Sequence, residues 1–298
     1  MNVIMFSGQG AQKIGMGKEF YDNFPICRKT FDEASEAVGF NMAKLGFEEN
    51  ELLNRTEYAQ PALLTAGIAA YRLFMEREKA PDLLMGLSLG EYTALTAAGV
   101  FDFADAVRLV HKRGKIMAEF AGEGGMLASI GVASNVLEDI CRNTPGFAAC
   151  ANYNTPQQTV LAGEHAAIDA CAVEIKKAGG KTIPLKVSGP FHTPLMNKAA
   201  EEFAKELRKI STSRNNQANI ISNVDAEIFD TENYVDILTK HMTSPVRWVN
   251  CVEKAIAMSA DAFIELGSGN TLVNFVRKID NSGFVKAFTF ETPLSFRA

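Results

Sequence analysis

The chain has 298 residues, of which 47% are hydrophobic and 22% are charged, and its formal net charge at pH 7 is −5. This composition is that of an ordinary globular protein, and the length allows one large domain with an insert, or two domains. The negative charge argues against general nucleic-acid binding, and no apolar run approaches the ~18 residues that a membrane span requires.

In chain order, a short apolar strand over residues 3–7 ends in the glycine turn Gly8-Gln9-Gly10. Helices are predicted over residues 18–24 and 27–38. A longer helix is predicted from Pro61 to about residue 78, because proline suits a first turn. A buried strand over 83–85 then precedes a helix over 89–98. Asp102 is a candidate N-cap for a helix to about residue 121.

The last third of the chain continues this alternation of short apolar strands and helices. Strands are predicted over residues 219–224, 262–266 and 285–290, with helices over 246–258 and 270–279. This alternation predicts an α/β fold, with a mostly parallel sheet covered by helices on both faces.

The middle of the chain follows a different pattern, which begins after Gly124-Gly125. Its predicted order is strand, helix, strand, strand, helix and strand, at residues 126–132, 135–143, 148–153, 158–162, 166–178 and 181–186. This βαββαβ order predicts a ferredoxin-like subdomain over 124–189, inserted into a large α/β subdomain formed by 1–123 and 190–298. A cleft between the two would be the natural ligand site.

The most informative motif is Gly86-Leu87-Ser88-Leu89-Gly90, at the switch from the second predicted strand to a helix. A G-x-S-x-G pentapeptide in this position is typical of a nucleophile elbow, which lifts the serine hydroxyl clear of the sheet. The sequence therefore indicates acyl transfer on Ser88, provided that a base lies nearby.

Four histidines could supply this base. His111 and His165 lie in or beside predicted helices with charged neighbours, and we expect both at the surface. His192 follows the last strand of the predicted insert, in a loop that Pro190 and Pro194 stiffen. A histidine held rigidly at a subdomain boundary suits a general base, so His192 is the preferred candidate.

Several motifs together resemble the malonyl-CoA:acyl-carrier-protein transacylases, in the order of that family from residue 3 to about residue 280. They are Phe6-Ser7-Gly8-Gln9-Gly10-Ala11-Gln12, Tyr58-Ala59-Gln60-Pro61-Ala62, residues 86–92, Lys112-Arg113-Gly114, Gly189-Pro190-Phe191-His192, Ser244-Pro245-Val246-Arg247-Trp248 and Glu265-Leu266-Gly267. The family's architecture, an α/β-hydrolase-like core with a ferredoxin-like insert, agrees with the predicted pattern.

The resemblance implies a role for each candidate residue. Ser88 would carry the malonyl group as an ester, and His192 would move the protons of both half-reactions. The backbone N–H groups of Gln9 and Leu89 would form the oxyanion hole. In this family a backbone carbonyl orients the histidine, so no third acid is expected.

Arg113 would bind the free carboxylate of the malonyl group through two parallel charge-assisted hydrogen bonds. Spacings of three and four residues place Arg113 on one helix face with Leu109, Ile116 and Met117, so the cation projects from an apolar stripe. Met117 is accordingly a further substrate-binding candidate. Phe191 resembles the malonyl-type signature of related domains, and its bulk would crowd a methyl-branched substrate.

Three positions depart from the family pattern. Leu87 stands where histidine often precedes the nucleophile, and Ser7 stands where proline is common. His241 falls where the residue whose carbonyl orients the base is often glutamine. A backbone interaction should tolerate that change. The alternative, that His241 acts as a second base, stays open but is less favoured.

The expected partners are malonyl-CoA and acyl carrier protein, without nucleic acid or membrane, and we expect a monomer. CoA phosphates and an acidic carrier would need local positive charge, for which the candidates are Lys112, Lys115, Lys176, Lys177, Lys181 and Lys186. The five cysteines are odd in number and lack CxxC or metal-type spacing, which favours reduced thiols. With no basic start typical of a secretion signal, this predicts a cytoplasmic protein. No cofactor or metal is indicated.

Two other functions compete with the fatty-acid transacylase. A discrete acyltransferase of a polyketide synthase would use the same chemistry with a different carrier protein. A serine thioesterase or lipase-type hydrolase would need a carboxylate, for which Asp102 and Asp105 are candidates. Arg113 and the turn Gly8-Gln9-Gly10 would have no evident purpose in such a hydrolase.

Overall fold

The computed structural model describes residues 1–213, 218–280 and 282–292, and its strands form two separate sheets. The strands are β1 (Asn2–Phe6), β2 (Leu83–Gly86), β3 (Gly124–Ile130), β4 (Ala148–Thr155), β5 (Gln158–Glu164), β6 (Lys181–Pro184), β7 (Asn219–Ile220), β8 (Ala262–Leu266) and β9 (Lys286–Phe290). The large sheet has the order β7-β2-β1-β8-β9, and every pairing in it is parallel. The predicted mostly parallel sheet is thereby confirmed.

Helices cover both faces of the large sheet and one face of the small one. The described helices are α1 (Lys18–Asn23), α2 (Pro25–Val38), α3 (Met42–Phe47), α4 (Thr56–Met75), α5 (Leu89–Ala97), α6 (Phe103–Glu119), α7 (Ser134–Asn143), α8 (His165–Lys177), α9 (Asn197–Leu207), α10 (Tyr234–His241), α11 (Trp248–Ala257) and α12 (Thr271–Ile279). Among the described helices, none is both long enough and apolar enough to cross a membrane.

Alternate residues of β1 face opposite layers of the molecule, as the two-residue period of a strand requires. Ile4 and Phe6 pack into the core that includes α2, α4 and α6, whereas Val3 and Met5 pack against α11 and α12. All four side chains are at most 1% exposed. Burial on both faces explains why this strand is a continuous apolar run.

The small sheet has the order β4-β5-β3-β6 with antiparallel neighbours throughout. Leu127 and Leu161 on one of its faces form a separate core with residues of α7 and α8. Met126 and Val160 on the other face join the main core. The small sheet therefore lies against the main core and forms one wall of a cleft.

Two predictions, the start of α4 and the exposure of His111, are wrong, and one hydrogen bond explains both. Pro61 does not start α4, which begins five residues earlier at Thr56, and His111 is half-buried rather than on the surface. Pro61 has no N–H for the carbonyl of Glu57, its helical partner four residues back. The His111 Nδ1–H donates to that carbonyl instead, at 2.7 Å. His165, by contrast, is exposed as predicted.

The strand predicted over 219–224 is also wrong, because β7 ends at Ile220. The chain then turns back on itself, since Ser222 bonds with Glu227 and Ala226 through backbone groups, and Ala226 has a φ of 61°. Helices α3, α9 and α10 were not predicted. Helix α9 nevertheless carries a usable signal, because Ala200, Phe203 and Leu207 repeat at helical spacing and are buried.

The turn between β2 and α5 brings three backbone segments unusually close together. A Cβ atom on Gly86 would lie 1.8 Å from the carbonyl carbon of Gly90, and one on Gly90 would lie 2.0 Å from the Phe6 oxygen. Neither neighbour is a side chain that could move aside. Both flanking glycines are therefore required for α5 to start directly above the sheet.

We predict that Gly86→Ala lowers the free energy of unfolding by at least about 3 kcal/mol, because the new methyl group overlaps backbone. Gly46→Ala is the control, since its Cβ would meet nothing within 4 Å and φ there is not positive. We expect that helix substitution to be neutral or stabilising by up to ~1 kcal/mol. Urea unfolding measures both. A Gly86→Ala midpoint equal to that of the natural protein would contradict the steric account.

Candidate active site

Ser88 occupies a strained turn at the carboxyl end of β2, immediately before α5. Its φ and ψ are 53° and −102°, a conformation that a residue with a side chain rarely adopts. Strain of this kind persists where the surrounding structure enforces it and occurs often at functional sites. The local geometry is that of a nucleophile elbow.

His192 lies within hydrogen-bonding distance of this serine. Ser88 Oγ and His192 Nε2 are 2.8 Å apart, and His192 Nδ1 is 2.9 Å from the backbone oxygen of His241. A carbonyl oxygen can only accept, so Nδ1 carries the proton and Nε2 is left as the acceptor for the Ser88 hydroxyl. This arrangement can remove a proton from Ser88 without any carboxylate.

Burial keeps His192 in its neutral form. The side chain is 4% exposed, and burial, with a further contribution from the charge of Arg113, lowers the pKa of His192 to about 4. Hydrogen bonds to backbone carbonyls act in the opposite direction but are outweighed. The imidazole is therefore available as a base throughout the neutral range.

His241 presents its carbonyl to His192, and its ring lies behind the base. The two imidazole rings have centroids 5.1 Å apart, and the His241 ring stacks on Tyr92 at 6.2 Å. Neither His241 ring nitrogen is hydrogen bonded to another described residue. Ser88 Oγ is bonded to His192 instead, so the geometry gives no support to His241 as a second base.

Arg113 is a buried cation beside Ser88. It is 1% exposed, Nη1 donates to Gln60 Oε1 at 2.9 Å, and Nη2 lies 3.5 Å from Ser88 Oγ. Its guanidinium also lies over the Tyr92 ring, 4.9 Å from the centroid. Within the described ranges no carboxylate forms an ion pair with it. A desolvated cation without a counterion is costly and is a ready partner for an anionic ligand.

Glu91 does not act as that counterion. Its side chain is fully buried, and burial raises the pKa of Glu91 to about 8, despite an opposing hydrogen bond from the Asn223 backbone and the charge of Arg113. The Glu91 carboxyl group is therefore mostly protonated near neutral pH. The positive charge of Arg113 remains largely uncompensated.

Gln9 lines the cavity that contains Ser88, and Leu89 follows Ser88 directly as the first residue of α5. Among the described residues, neither residue's backbone N–H forms a backbone hydrogen bond outside a helix or strand. The loop that carries Gln9 is fixed by Ser7, whose Oγ–H lies 2.7 Å from Glu265 Oε1 and 3.0 Å from the Ser268 oxygen. Ser7, at a position where the family often has proline, thus connects this loop to the end of β8.

These groups open into a cavity of about 260 Å³ between the two sheets. Ser88, His192, Arg113, Met117 and Phe191 line it. The small sheet contributes Met126, Ala128, Asn152, Asn154 and Val160 to the opposite wall. The cavity thus lies where the small sheet faces the end of β2. Within the part of the chain that the structure describes, no cluster suited to a metal ion occurs.

The carboxylates considered for a hydrolase triad lie elsewhere. Asp102 caps α6 by accepting from the N–H groups of Ala104 and Asp105, and Asp105 forms an ion pair with Arg108. The Nδ1–H of His192 donates to a carbonyl. The geometry therefore provides no carboxylate-based triad from these two residues.

Sequence reasoning missed Tyr92, Gln60 and Asn223 at this site. The Tyr92 ring lies under the Arg113 guanidinium, and Gln60 accepts a hydrogen bond from that guanidinium. Asn223 accepts a hydrogen bond from the Ser88 N–H at 2.7 Å. Gln60 and Tyr92 belong to motifs that the sequence analysis did quote. Asn223 had no local signal, because its role depends on a partner 135 residues away.

The chain is similar to known proteins over nearly its whole length. Residues 3–283 match the family model described as acyl transferase domain. The malonyl CoA-acyl carrier protein transacylase of Bacillus subtilis (strain 168) is 40% identical over 284 residues, which cover 93% of this chain and 89% of that protein.

Solved structures agree with this similarity. Malonyl CoA-acyl carrier protein transacylase from Clostridium perfringens superposes with a TM-score of 0.94 at 39% identity, over 99% of this chain and 95% of that one. A malonyl-transacylase in complex with a type II polyketide synthase acyl carrier protein gives 0.95 at 36% identity, over 99% and 97%. The fold, the geometry and these similarities lead to one conclusion: the chain belongs to the acyl transferase domain family.

Proposed function

We propose that this protein is a serine acyltransferase that moves a malonyl group from coenzyme A to the phosphopantetheine thiol of acyl carrier protein, in fatty acid synthesis. The observation that carries the proposal is the hydrogen-bonded pair of Ser88 and His192 beside the uncompensated cation of Arg113. The pair supplies a nucleophile and its base, and the cation supplies a site for the malonyl carboxylate. The similarity to malonyl-transacylases over nearly the whole chain supports the same assignment.

In the first half-reaction, Ser88 Oγ attacks the thioester carbonyl carbon while His192 Nε2 takes the hydroxyl proton. The oxyanion that forms accepts hydrogen bonds from the N–H groups of Gln9 and Leu89, where the loss of one donor typically costs ~10²–10³ in rate. The C–S bond then breaks, and His192 returns the proton to the departing CoA thiolate. The product is a malonyl ester on Ser88.

In the second half-reaction, the carrier protein's thiol takes the place of CoA. His192 removes the thiol proton, the sulfur attacks the ester carbonyl, and the proton passes to Ser88 Oγ as the C–O bond breaks. Because each step reverses one of the first half-reaction, the same two residues and the same oxyanion hole serve both. No metal or cofactor takes part.

Substrate selection depends on Arg113, Met117 and Phe191. The malonyl carboxylate is separated from the reacting carbonyl by one methylene group, so Arg113, 3.5 Å from Ser88 Oγ, can hold it while the ester forms. Gln60 and Tyr92 fix the orientation of the guanidinium. Phe191 and Met117 are buried in the cavity wall, where they would crowd a methyl branch on the substrate.

The proposal extends to the organisation of the chain. Residues 1–123 and 190–298 would form an α/β-hydrolase-like catalytic subdomain, and residues 124–189 a ferredoxin-like subdomain. The strand order β4-β5-β3-β6, with α7 and α8 on one face, supports the latter. The five cysteines are all free thiols, which supports a reducing, cytoplasmic location. We expect the protein to act as a monomer.

A second candidate function is that of a discrete acyltransferase serving a polyketide synthase. The similarity to a malonyl-transacylase bound to a type II polyketide carrier protein favours it specifically. The acylation chemistry at Ser88 would be identical, so the choice of carrier is what separates the two functions.

A transfer assay tests the proposed function. The protein is mixed with malonyl-CoA and either a fatty-acid or a type II polyketide carrier protein in its phosphopantetheinylated form, and malonylated carrier is measured by mass spectrometry. Faster transfer to the fatty-acid carrier supports the proposal, and faster transfer to the other supports the second candidate. Release of free malonate without carrier labelling would indicate a hydrolase and contradict both.

We predict that Arg113→Ala lowers kcat/KM for malonyl-CoA by roughly 10²-fold or more, because a buried charge pair with the substrate is lost. The preference for malonyl-CoA over acetyl-CoA should collapse as well. Arg108→Ala is the matched control, since it removes an exposed arginine from the same helix. Retention of malonyl preference in the Arg113 variant would contradict the proposed carboxylate site.

The pH dependence of kcat/KM provides a further prediction. The base is neutral His192, whose lowered pKa of about 4 means that protonation removes activity only at low pH. We expect kcat/KM for malonyl-CoA to be level from about pH 7, where Glu91 is still mostly protonated, to about pH 5 and to fall as the pH approaches 4. An acidic limb centred near 6.5, the ordinary value for histidine, would contradict the effect of burial.

Of the lysines considered for binding the acidic carrier protein, two in the small subdomain are the best candidates. Lys112 and Lys177 form ion pairs with Glu206 and Glu174, whereas Lys181 and Lys186 are exposed. We predict that the double variant Lys181→Glu/Lys186→Glu raises the KM for the carrier roughly 3- to 10-fold, with the KM for malonyl-CoA less affected. Lys29→Glu, an exposed lysine on α2, is the control. An unchanged carrier KM would show that this patch is not the docking surface.

A further inference from the structure

The strand that pairs with the elbow strand ends before the elbow itself. Asn219 and Ile220 of β7 pair with Leu83 and Leu84 of β2, and the Ile221 N–H donates to the Leu84 oxygen at 3.2 Å. The chain then turns at Ser222, so no backbone of this strand reaches Gly86 or Ser88. The β2 backbone would be left without partners on that side.

The side chain of Asn223 bonds to this part of the backbone. Asn223 Nδ2 donates to the Gly86 oxygen at 2.8 Å, and Asn223 Oδ1 accepts from the Ser88 N–H at 2.7 Å. In a parallel pair of strands, the N–H of a residue donates to the carbonyl of the residue that precedes its partner. Its carbonyl accepts from the N–H of the residue that follows that partner. The side-chain amide of Asn223 makes those same two bonds on either side of Leu87.

We propose that Asn223 is a positioning residue for the reaction, in which a side-chain amide replaces a strand residue and holds the nucleophile elbow in its strained form. The proposal rests on the proposed function, because it gives the elbow its catalytic role. Leu87 is bonded from the other side by β1, since its N–H donates to the Phe6 oxygen at 3.1 Å. The elbow is therefore held by β1 on one side and by the Asn223 side chain on the other.

Every polar group of Asn223, in its side chain and in its backbone, forms a hydrogen bond. Its side chain is fully buried, its backbone N–H donates to Glu91 Oε2 at 2.6 Å, and its carbonyl accepts from the Arg247 N–H at 3.0 Å. Glu91 lies in the first turn of α5, directly after the nucleophile. One residue thus connects the end of β2, the nucleophile and the helix that follows.

The two hydrogen bonds of the Asn223 side chain, to the Gly86 oxygen and from the Ser88 N–H, form a clamp on the elbow. This clamp needs one donor and one acceptor at fixed spacing, which an asparagine amide supplies. An ionised aspartate has no donor for the Gly86 carbonyl and would place negative charge against it. A protonated aspartate regains that donor. When aspartate replaces Asn223, the hydrogen bond to the Gly86 carbonyl therefore depends on pH. The shape and volume of the side chain stay nearly unchanged.

The consequence for catalysis follows from the position of Leu89. Its N–H is an oxyanion donor in the proposed mechanism, and its direction is set by the backbone angles of Ser88. Release of the Ser88 N–H lets the turn relax, which moves both the Oγ nucleophile and this donor. A misplacement of about 1 Å can cost ~10² in rate.

The test is single-turnover acylation of Asn223→Asp by malonyl-CoA, followed by intact-mass spectrometry across pH. At about pH 8 we expect the acylation rate constant to be roughly 30- to 100-fold below that of the natural protein, with KM changed less than about 3-fold. The deficit should shrink to within about 5-fold near pH 5, as the buried carboxyl takes up its proton. His192 stays neutral over this range, whereas Glu91, which accepts from the Asn223 backbone and whose pKa burial raises to about 8, takes up its proton within it. Glu91 is present in both proteins, so the natural protein serves as the reference at each pH.

Asn219→Asp is the matched control, because Asn219 lies on β7, four residues before Asn223, and its side chain is exposed. It should acylate at the natural rate at every pH. An Asn223→Asp variant that is folded but acylates normally, or whose deficit does not change with pH, overturns the proposal. A purely structural role would lower the melting temperature without this pH-dependent recovery.

Hydrogen exchange of the Ser88 amide in the natural protein covers the case in which the variant fails to fold. The clamp predicts slow exchange, although Ser88 lies outside both the strand and the helix. Fast exchange overturns the proposal. If the natural protein forms no malonyl adduct, the proposed function fails instead, and this exchange measurement still decides whether the clamp exists.

Discussion

The chemistry of the site depends on one hydrogen bond, from His192 Nδ1–H to the backbone oxygen of His241. It fixes the tautomer, so that Nε2 faces the Ser88 hydroxyl as an acceptor. A carboxylate could orient the ring equally well, but it would also bring a negative charge close to Arg113. An uncharged carbonyl leaves the cation free for the substrate. The orientation of His192 by a carbonyl rather than a carboxylate and the choice of an anionic substrate are thus two aspects of one electrostatic arrangement.

Both residues of the proposed catalytic pair have positive φ angles, 53° at Ser88 and 61° at His192. Such angles are unfavourable for residues with side chains, and the fold stabilises them with rigid surroundings. Around Ser88 these are the glycine contacts of the elbow and the hydrogen bonds of the neighbouring strands. Around His192 it is a loop in which the Thr193 hydroxyl donates to the Pro190 carbonyl. Pre-organisation of this kind reduces the reorganisation that the reaction itself requires.

Local sequence patterns predicted what depends on local structure. The elbow, the parallel sheet and the small antiparallel sheet follow from apolar runs, glycines and strand–helix alternation. The start of α4 could not be found in this way, because His111 compensates the missing N–H of Pro61 from a different helix. Asn223 was missed for the same physical reason: its side chain completes a ladder with residues far away in the chain. Interactions of side chains with distant backbone leave no periodic pattern in hydropathy.

The central claim is a malonyl ester on Ser88 selected by Arg113, and mass spectrometry after brief exposure to malonyl-CoA tests it most directly. The account predicts one malonyl-sized adduct that maps to the peptide containing Ser88. The adduct should be absent with acetyl-CoA and lost in Ser88→Ala. An adduct on another residue, or an acetyl adduct formed equally fast, would contradict the account. So would release of free CoA with no adduct at all.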